Sequence, residues 1–292
     1  ATDGIAIAGG MGKTSAINNT VTIANGTVAG KVYGGYAENA AGGTTGNRVI
    51  LGDVNGSATP DLSNASIYGG SNSTGVSGGS LDAIRNNHLI VQTKGITANS
   101  AQNFHTYEFH LNTGVAAGNT MLTLTHNNDA FGRAVAWEDI KVDATGWSGK
   151  GVNAQNQNVK DYYGDVGTVT LMKDGKTTTN PTWYDRLSNL RFSNSADQYG
   201  VSGDYEYKMS VNSYTTRDYP LIPQHSTAWN EVNATFHRLK NADATYDSSA
   251  AVNGDIYGGY SIWEKQDVRD NKLTITNAAR KQIASNVYQG LT

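Results

Sequence analysis

The six histidines, His88, His105, His110, His126, His225 and His237, are the obvious metal ligands of this chain, yet no two share a metal-binding spacing. His105 and His110 sit an odd number of positions apart, so on a strand they face opposite sides, and no zinc site is expected. Gly9-Gly10-Met11-Gly12-Lys13-Thr14 has the look of a phosphate loop. The full pattern needs a glycine where Ile7 stands, and a helix where the strand-like Asn19-Thr20-Val21-Thr22-Ile23 follows, so nucleotide binding is not expected. Asp53-Val54-Asn55-Gly56-Ser57 begins like a calcium loop, but the required glycine is Ala58 and the closing acid is Asn64. A polar turn is the expected role, and a loose calcium cage with carbonyl ligands stays open. No Gly-x-Ser-x-Gly elbow is present for nucleophilic catalysis, and the Gly-Asp-Ser-Gly phrase of a serine protease is missing. The nearest candidates for the clustered carboxylates, often joined by Arg or Lys, of a polysaccharide lyase or hydrolase are Asp185 with Arg186 and Asp204 with Glu206, all expected to be ordinary surface charges. No catalytic residue, metal or cofactor is therefore assigned.

Aromatic side chains give the better clue to binding. Trp137, Trp147, Trp183, Tyr184, Trp229 and Trp263 join Tyr199, Tyr205, Tyr207, Tyr214 and Tyr219 between residues 137 and 263. Such rings bury much area while keeping a polar tip, which suits protein interfaces and sugar faces. The competing role is core filling beneath a long insertion. Trp183, Tyr184 and Trp229 are the first candidates for ligand binding.

The elements that must position these groups announce themselves by repetition. A hydrophobic residue followed by Tyr-Gly-Gly leads, after a loop, to Asn-x-apolar-x-apolar. Val32-Tyr33-Gly34-Gly35 leads to Asn47-Arg48-Val49-Ile50-Leu51, Ile67-Tyr68-Gly69-Gly70 to Asn87-His88-Leu89-Ile90-Val91, and Ile256-Tyr257-Gly258-Gly259 to Asn271-Lys272-Leu273-Thr274-Ile275. A degenerate copy opens the chain, Ile7-Ala8-Gly9-Gly10 before Asn19, and Val287-Tyr288-Gln289-Gly290 begins another. Recurrence of this kind predicts a solenoid, and the alternating apolar pattern predicts short strands. Each unit is expected to supply two or more strands and a variable loop. Thr27–Tyr33 is one such strand, ended by Gly34-Gly35. We expect an all-β fold, a right-handed parallel β-helix with a large irregular insertion; a sandwich or propeller is the competing architecture. Residues 1–91 are read as β-helix repeat units, 92–254 as β-rich coils with long insertions and a possible ligand-binding subdomain, and 255–292 as the resumed repeat. In the middle region Tyr107, Phe109 and Leu111 share one strand face and Glu108 and His110 the other. Met121–Thr125 and Gly167–Leu171 are further strands, and Ala278–Ala284 reads as a helical turn or two. Asparagines at turns are expected to stack between successive coils.

Composition agrees. There are 34 glycines, 4 prolines and no cysteine, and charged residues make up only 16%, where roughly 25% is usual. Glycine and asparagine tolerate the left-handed backbone of tight turns. Absence of cysteine excludes disulfide and thiolate chemistry. A net charge of -3 gives no reason to expect nucleic acid as a partner. No apolar run is long enough to span a membrane as a helix. The start, Ala1-Thr2-Asp3-Gly4, has no basic stretch followed by an apolar one, so no signal peptide is expected and the chain is read as a piece of something larger.

Asn19-Thr20-Val21-Thr22-Ile23, Gly26-Thr27-Val28, Val32-Tyr33-Gly34-Gly35-Tyr36 and Gly46-Asn47-Arg48-Val49 together resemble the passenger regions of Gram-negative autotransporters. Phe104–Leu111, Ala117–Leu124 and Gly167–Met172 are similar to the segment that follows such repeats in large surface adhesins of that group. The resemblance implies export to the cell surface, a β-helical passenger and attachment through a C-terminal β-barrel absent from this chain. It also implies adhesion to a host or bacterial surface protein or glycan without catalysis. A carbohydrate-active β-helix enzyme and a structural spacer in a surface fibre are the alternatives.

Overall fold

The structure is a computed structural model that describes residues 4–75, 81–125, 131, 133, 135–147, 162–163, 167–175, 197–213, 229–241, 243–246, 256–261, 263–275 and 287–288. Twenty strands follow in order: β1 (Ile5–Ala8), β2 (Met11–Gly12), β3 (Thr20–Ile23), β4 (Thr27–Ala37), β5 (Arg48–Leu51), β6 (Asp61–Asn72), β7 (His88–Val91), β8 (Ile96–Gln102), β9 (Thr106–His110) and β10 (Thr120–Leu124). They continue as β11 (Ile140–Asp143), β12 (Tyr162–Tyr163), β13 (Gly167–Asp174), β14 (Gln198–Ser202), β15 (Tyr205–Ser213), β16 (Trp229–Arg238), β17 (Asp243–Tyr246), β18 (Ile256–Tyr257), β19 (Lys272–Ile275) and β20 (Val287–Tyr288). Two short 3-10 turns, Leu81–Ile84 and Trp137–Asp139, are the only helical elements among the described residues. The fold is all-β. The helical turn expected at 278–284 lies outside the described residues.

From β1 to β11 the chain moves back and forth between two sheets, and after β12 it returns to the first at β13. One has the order β1-β4-β6-β8-β10-β13-β16-β15-β14, with β2 also paired to β4; the other has the order β11-β9-β7-β5-β3. Pairing is parallel throughout the second sheet and as far as β13 in the first. Sandwiches and propellers pair their strands antiparallel, so this part of the chain is neither. The repeated phrases lie level with one another. Val32 pairs with Ile67, Tyr33 with Tyr68 and Gly35 with Gly70. In the second sheet Val21, Val49, Leu89, Tyr107 and Ile140 occupy one level position, and Ile23, Leu51, Val91, Phe109 and Val142 the next inward one.

Period-two alternation buries those positions. Val32, Val49, Leu51, Ile67, Leu89, Val91, Tyr107 and Phe109 are all fully buried and belong to a single hydrophobic cluster. Removing an aliphatic side chain of this size from water contributes about 1.5–3 kcal/mol. Leu111 follows Tyr107 and Phe109 inward, while Glu108 and His110 face out, as the alternation predicts.

A polar spine runs beside this core. The Asn47 Oδ1 accepts the Asn19 backbone N–H at 3.0 Å and its amide at 2.9 Å, while Asn47 Nδ2 donates to the Ala16 carbonyl at 3.0 Å. One level on, Asn87 Oδ1 accepts the Asn47 N–H at 2.9 Å and Asn87 Nδ2 donates to the Thr44 carbonyl at 2.8 Å. Asn271 donates in the same sense to the Leu239 carbonyl at 3.0 Å. Asn47 and Asn87 are fully buried, so these bonds satisfy groups that would otherwise be costly. Each ladder asparagine is preceded by a left-handed residue: Asn18, Gly46, Asn86 and Asp270 have φ of 57°, 72°, 58° and 57°. Only glycine and short polar residues adopt that conformation cheaply.

The glycine pair does not end its strand, contrary to the sequence expectation. β4 runs through Gly34 and Gly35 to Ala37, and β6 through Gly69 and Gly70 to Asn72. The glycines are there to make room. A Cβ on Gly69 would lie 2.4 Å from the Asn103 carbonyl oxygen and 2.8 Å from Asn87 Cβ; one on Gly34 would lie 2.5 Å from the Gly69 oxygen and 2.9 Å from Asn47 Cβ. The two halves of the repeated phrase are thus a lock and its clearance.

Beyond β13 the first sheet changes character. β16 pairs antiparallel with β13 and β15, and β15 with β14, closing a meander whose hairpin turns at Ser202–Tyr205. Its inner face continues the same hydrophobic cluster with Tyr205, Met209, Val232, Ala234 and Phe236. Two small parallel sheets complete the description, β12-β18-β20 and β17-β19. In the former, Tyr257 stacks on Tyr288 with centroids 4.9 Å apart, as Tyr33 stacks on Tyr68 at 5.0 Å.

Candidate functional site

Of the aromatic residues singled out in the sequence, several are structural. Trp137, Trp147 and Tyr205 are buried. Trp147 wedges between Tyr205 and Phe236, with centroids 4.8 and 4.7 Å away, and its Nε1 donates to the Val115 carbonyl at 2.8 Å. It joins the meander to the parallel sheets. Trp183, Tyr184, Tyr214 and Tyr219 lie outside the described residues, as do Asp185 and Arg186. Trp229 opens β16, where its backbone pairs with Ser213; its side chain lies outside what is described.

Two rings reach solvent together at the outer face of the meander. Tyr199 on β14 is 48% exposed and Val201, two residues on, is 45% exposed. The half-buried Trp263 lies 5.9 Å from the Tyr199 ring at 47°, and the Lys208 ammonium sits 5.8 Å from the Trp263 centroid. Lys208 is held by Asp197 at 3.1 Å. Beneath, Trp263 stacks on His237 at 4.1 Å and 15°.

What fixes Trp263 there is a buried carboxylate. Glu206 was expected at the surface; it is fully buried instead. Strand alternation turns Tyr205 into the core and Glu206 to the opposite face, where Ser261 and Glu264 meet it. Its Oε1 lies 3.2 Å from His237 Nδ1, and its Oε2 accepts the Ser261 hydroxyl at 2.8 Å and the Glu264 N–H at 3.1 Å. Ser261 Oγ in turn accepts the Gln266 N–H at 3.0 Å. A buried charge is tolerated when so fully bonded. Its expected companion Asp204 lies instead at the hairpin, 3.7 Å from Arg238. The serine hydroxyl points at the glutamate and not at the imidazole, so the group lacks the nucleophile–base contact of a hydrolase. Burial, then nearby Glu264, push the Tyr207 phenol up.

A second polar group crosses the outer face of the second sheet. His88 on β7, Glu108 and His110 on β9, and Asp143 on β11 come together because parallel register sets His110 beside Asp143 and Ile90 beside Glu108. Glu108 lies between the imidazoles, 2.8 Å from His88 Nδ1 and 3.6 Å from His110 Nε2. Bonds from His110, then His88, hold its carboxyl far below the usual range against the opposing effect of burial. Burial pushes Asp143 up, but the Thr145 N–H and hydroxyl, His110 and Ser202 outweigh it and hold that carboxyl down as well. Among the described residues, no group of three His, Asp or Glu side chains is placed to hold a metal ion. In the supposed calcium loop, Asp53 spends its oxygens on its own turn, accepting the Asn55 and Ser57 N–H groups at 2.8 and 3.0 Å and the Ser57 hydroxyl at 2.6 Å. An Asx turn explains that phrase without an ion.

Sequence spacing along one strand could not bring His88 to Glu108, since the contact crosses strands. The usable signal was the phrase alignment, which predicts pairing of equivalent strands. No family model matches the chain, and no curated protein or solved structure matches it.

Proposed function

We propose that this chain is a right-handed parallel β-helix and acts as a non-catalytic adhesin passenger. In this reading it is displayed on the Gram-negative cell surface and binds a protein or glycan of a host or bacterial cell. The observation that carries the reading is the outer face of the meander: half-exposed Tyr199 and Trp263, flanked by Val201 and Lys208, on a buried Glu206 support. An angled ring pair held rigid from below loses little conformational freedom on binding, as a recognition surface requires. The level stacking of Val32 on Ile67, Tyr33 on Tyr68 and Asn47 on Asn87 supports the β-helix, in which each unit buries its apolar edge only against its neighbours.

Support for the non-catalytic part comes from the carboxyls. A glycosidase needs one carboxyl held protonated near neutrality, whereas Glu108 and Asp143 are both held down, so that neighbouring pair does not suit glycoside hydrolysis. The test is binding of the purified, fluorescently labelled chain to host cells, to bacteria and to a glycan array. Trp263→Ala and Tyr199→Ala are each expected to reduce binding about tenfold or more, in line with a recognition anchor. Absence of binding to every surface, or undiminished binding by both variants, would overturn the proposal.

A further inference from the structure

A cleft of about 280 Å³ opens where the second sheet ends, next to His110 and Asp143. Its walls are the turns that follow β5, β7, β9 and β11, so residues far apart in sequence meet there. The turns lock together. Asn112 Nδ2 donates to the Gln92 carbonyl, and its Oδ1 accepts the Gly114 N–H at 2.9 Å. Thr93 Oγ1 donates to the Gly56 carbonyl at 3.4 Å, and a Cβ on Gly114 would strike the Gly56 oxygen at 2.4 Å. The cleft is therefore preformed.

Its chemistry is narrow. Among the described residues, Asp143 and His110 are the only ionisable side chains in the lining, and no lysine, arginine or aromatic ring is part of it. The side-chain amides of Asn55 and Gln92 make no hydrogen bond among the described residues. Glu108 engages His110 through Nε2, at 3.6 Å, which leaves Nδ1 for another partner. Asp143 Oδ1 accepts the Thr145 N–H at 2.9 Å and the Ser202 hydroxyl at 3.5 Å, the Thr145 hydroxyl also bonds the carboxylate, and a carboxylate with about four lone-pair sites has capacity for a further donor. An anionic ligand would meet Asp143 with no lysine or arginine to offset it among the described residues. Among the described residues an apolar ligand would find no ring to stack on, only Val54 at the lip, 70% exposed, and the buried Leu111. Groups that donate and accept at once, as hydroxyls do, match amides, an imidazole and a carboxylate. The volume lies at the lower end of small-molecule sites, which suits one ring and not a chain.

We propose that this cleft binds a single neutral sugar ring, the terminal residue of an uncharged glycan, through Asp143, His110, Gln92 and Asn55. The site is separate from the aromatic face of the meander and does not depend on that reading. Asp143 accepts one hydroxyl of the ring, and the Gln92 and Asn55 amides bridge to others.

The test is saturation-transfer NMR on the whole chain with mannose, galactose, N-acetylglucosamine and N-acetylneuraminic acid as separate probes. At least one neutral sugar is expected to receive saturation with a Kd of about 1–10 mM, the weak range of a single-ring contact. The acidic sugar is expected to receive none. Asp143→Asn and, independently, Gln92→Ala are expected to weaken the signal about tenfold or more, with unchanged circular dichroism. Trp263→Ala is expected to leave it unaltered, which separates this site from the meander face. No transfer to any neutral sugar, equal transfer to the acidic one, or insensitivity to both cleft variants would overturn the proposal.

Discussion

The parallel sheets and the antiparallel meander solve the same problem, how to bury one continuous core, by opposite means. In the parallel part each strand finds its partner a whole unit away, Val32 beside Ile67 and Asn47 beside Asn87, so pairing is specified by recurrence of the same phrase. In the meander β14 and β15 meet across a tight turn, and no phrase recurs. The buried polar groups differ accordingly. Neutral amides repeat along the parallel spine, where the buried ion pair Arg133–Asp139 sits off the spine before β11, whereas the meander is anchored by an ionic group, Glu206 with His237, used once. Repetition favours neutral groups that can be stacked indefinitely, since like charges stacked at strand spacing would repel. A single anchoring point can hold a charge.

That contrast is open to direct attack. The largest effect is expected from Gly69→Val, which drives a Cβ to within 2.4 Å of the Asn103 oxygen. It should abolish cooperative folding of the parallel part, a loss of about 4 kcal/mol or more by backbone clash, visible as loss of the sheet signal in circular dichroism. Next, Glu206→Ala strands His237, Ser261 and the Glu264 N–H. It is expected to cost about 3–5 kcal/mol, but locally: hydrogen exchange should accelerate at 260–266 while β5 and β7 stay protected. Exchange spreading equally into β5 and β7 would show that the two regions are one cooperative unit. Asn47→Ala removes one level of the spine and should cost about 2–3 kcal/mol through unsatisfied buried backbone groups, read by urea unfolding.

The smallest effects are pH-dependent and also divide by region. Burial, then neighbouring Tyr68 and Tyr36, raise the Tyr33 phenol to about 12 from 10.0, against a weaker opposing bond from Ser71. The unfolded chain therefore ionises first, and stability should fall as pH rises from about 10 to about 12. Tyr33→Phe should flatten that limb of the melting-temperature profile. Glu108 has the opposite sign. Its lowered folded value means its contribution is complete above the unfolded value of about 4.3 and is lost as pH falls below it. Glu108→Gln should weaken the acid limb of the same profile, and an unchanged limb would exclude Glu108 as its source.

Much of the parallel part was legible because its instructions are local and repeated. Alternation in Val49-Ile50-Leu51 and in Tyr107–Leu111 marks inward positions, and the asparagines mark the turns. The role of Gly34-Gly35 was misread as a stop because the reason for glycine lies in another segment, the Asn47 side chain and the Gly69 carbonyl. Glu206 was misread for a related reason. Its neighbours Ser261 and Glu264 come from over fifty positions downstream, and no pattern near Glu206 hints at them. The polar line of His88, Glu108, His110 and Asp143 depends on register between strands, which spacing within one strand cannot reveal. Trp137 and Trp147 illustrate how little a tryptophan's position says about whether it faces solvent.

Asn47, Asn87 and Asn271 each send an amide N–H toward the level that precedes them in the chain, and Asn19, at the first level, reaches forward to Asn47. A duplicated stretch running from one glycine pair to the next would arrive with a socket on one side and a plug on the other, and would seat without any compensating change. A deletion of a whole period would heal in the same way, whereas a fractional one would leave an amide facing nothing. Changes in length are thus tolerated in whole steps, or within the segment between the glycine pair and its asparagine, which already differs between 35–47 and 70–87. A gene of this design can lengthen or shorten its product by recombination between its own repeats and still encode something that folds.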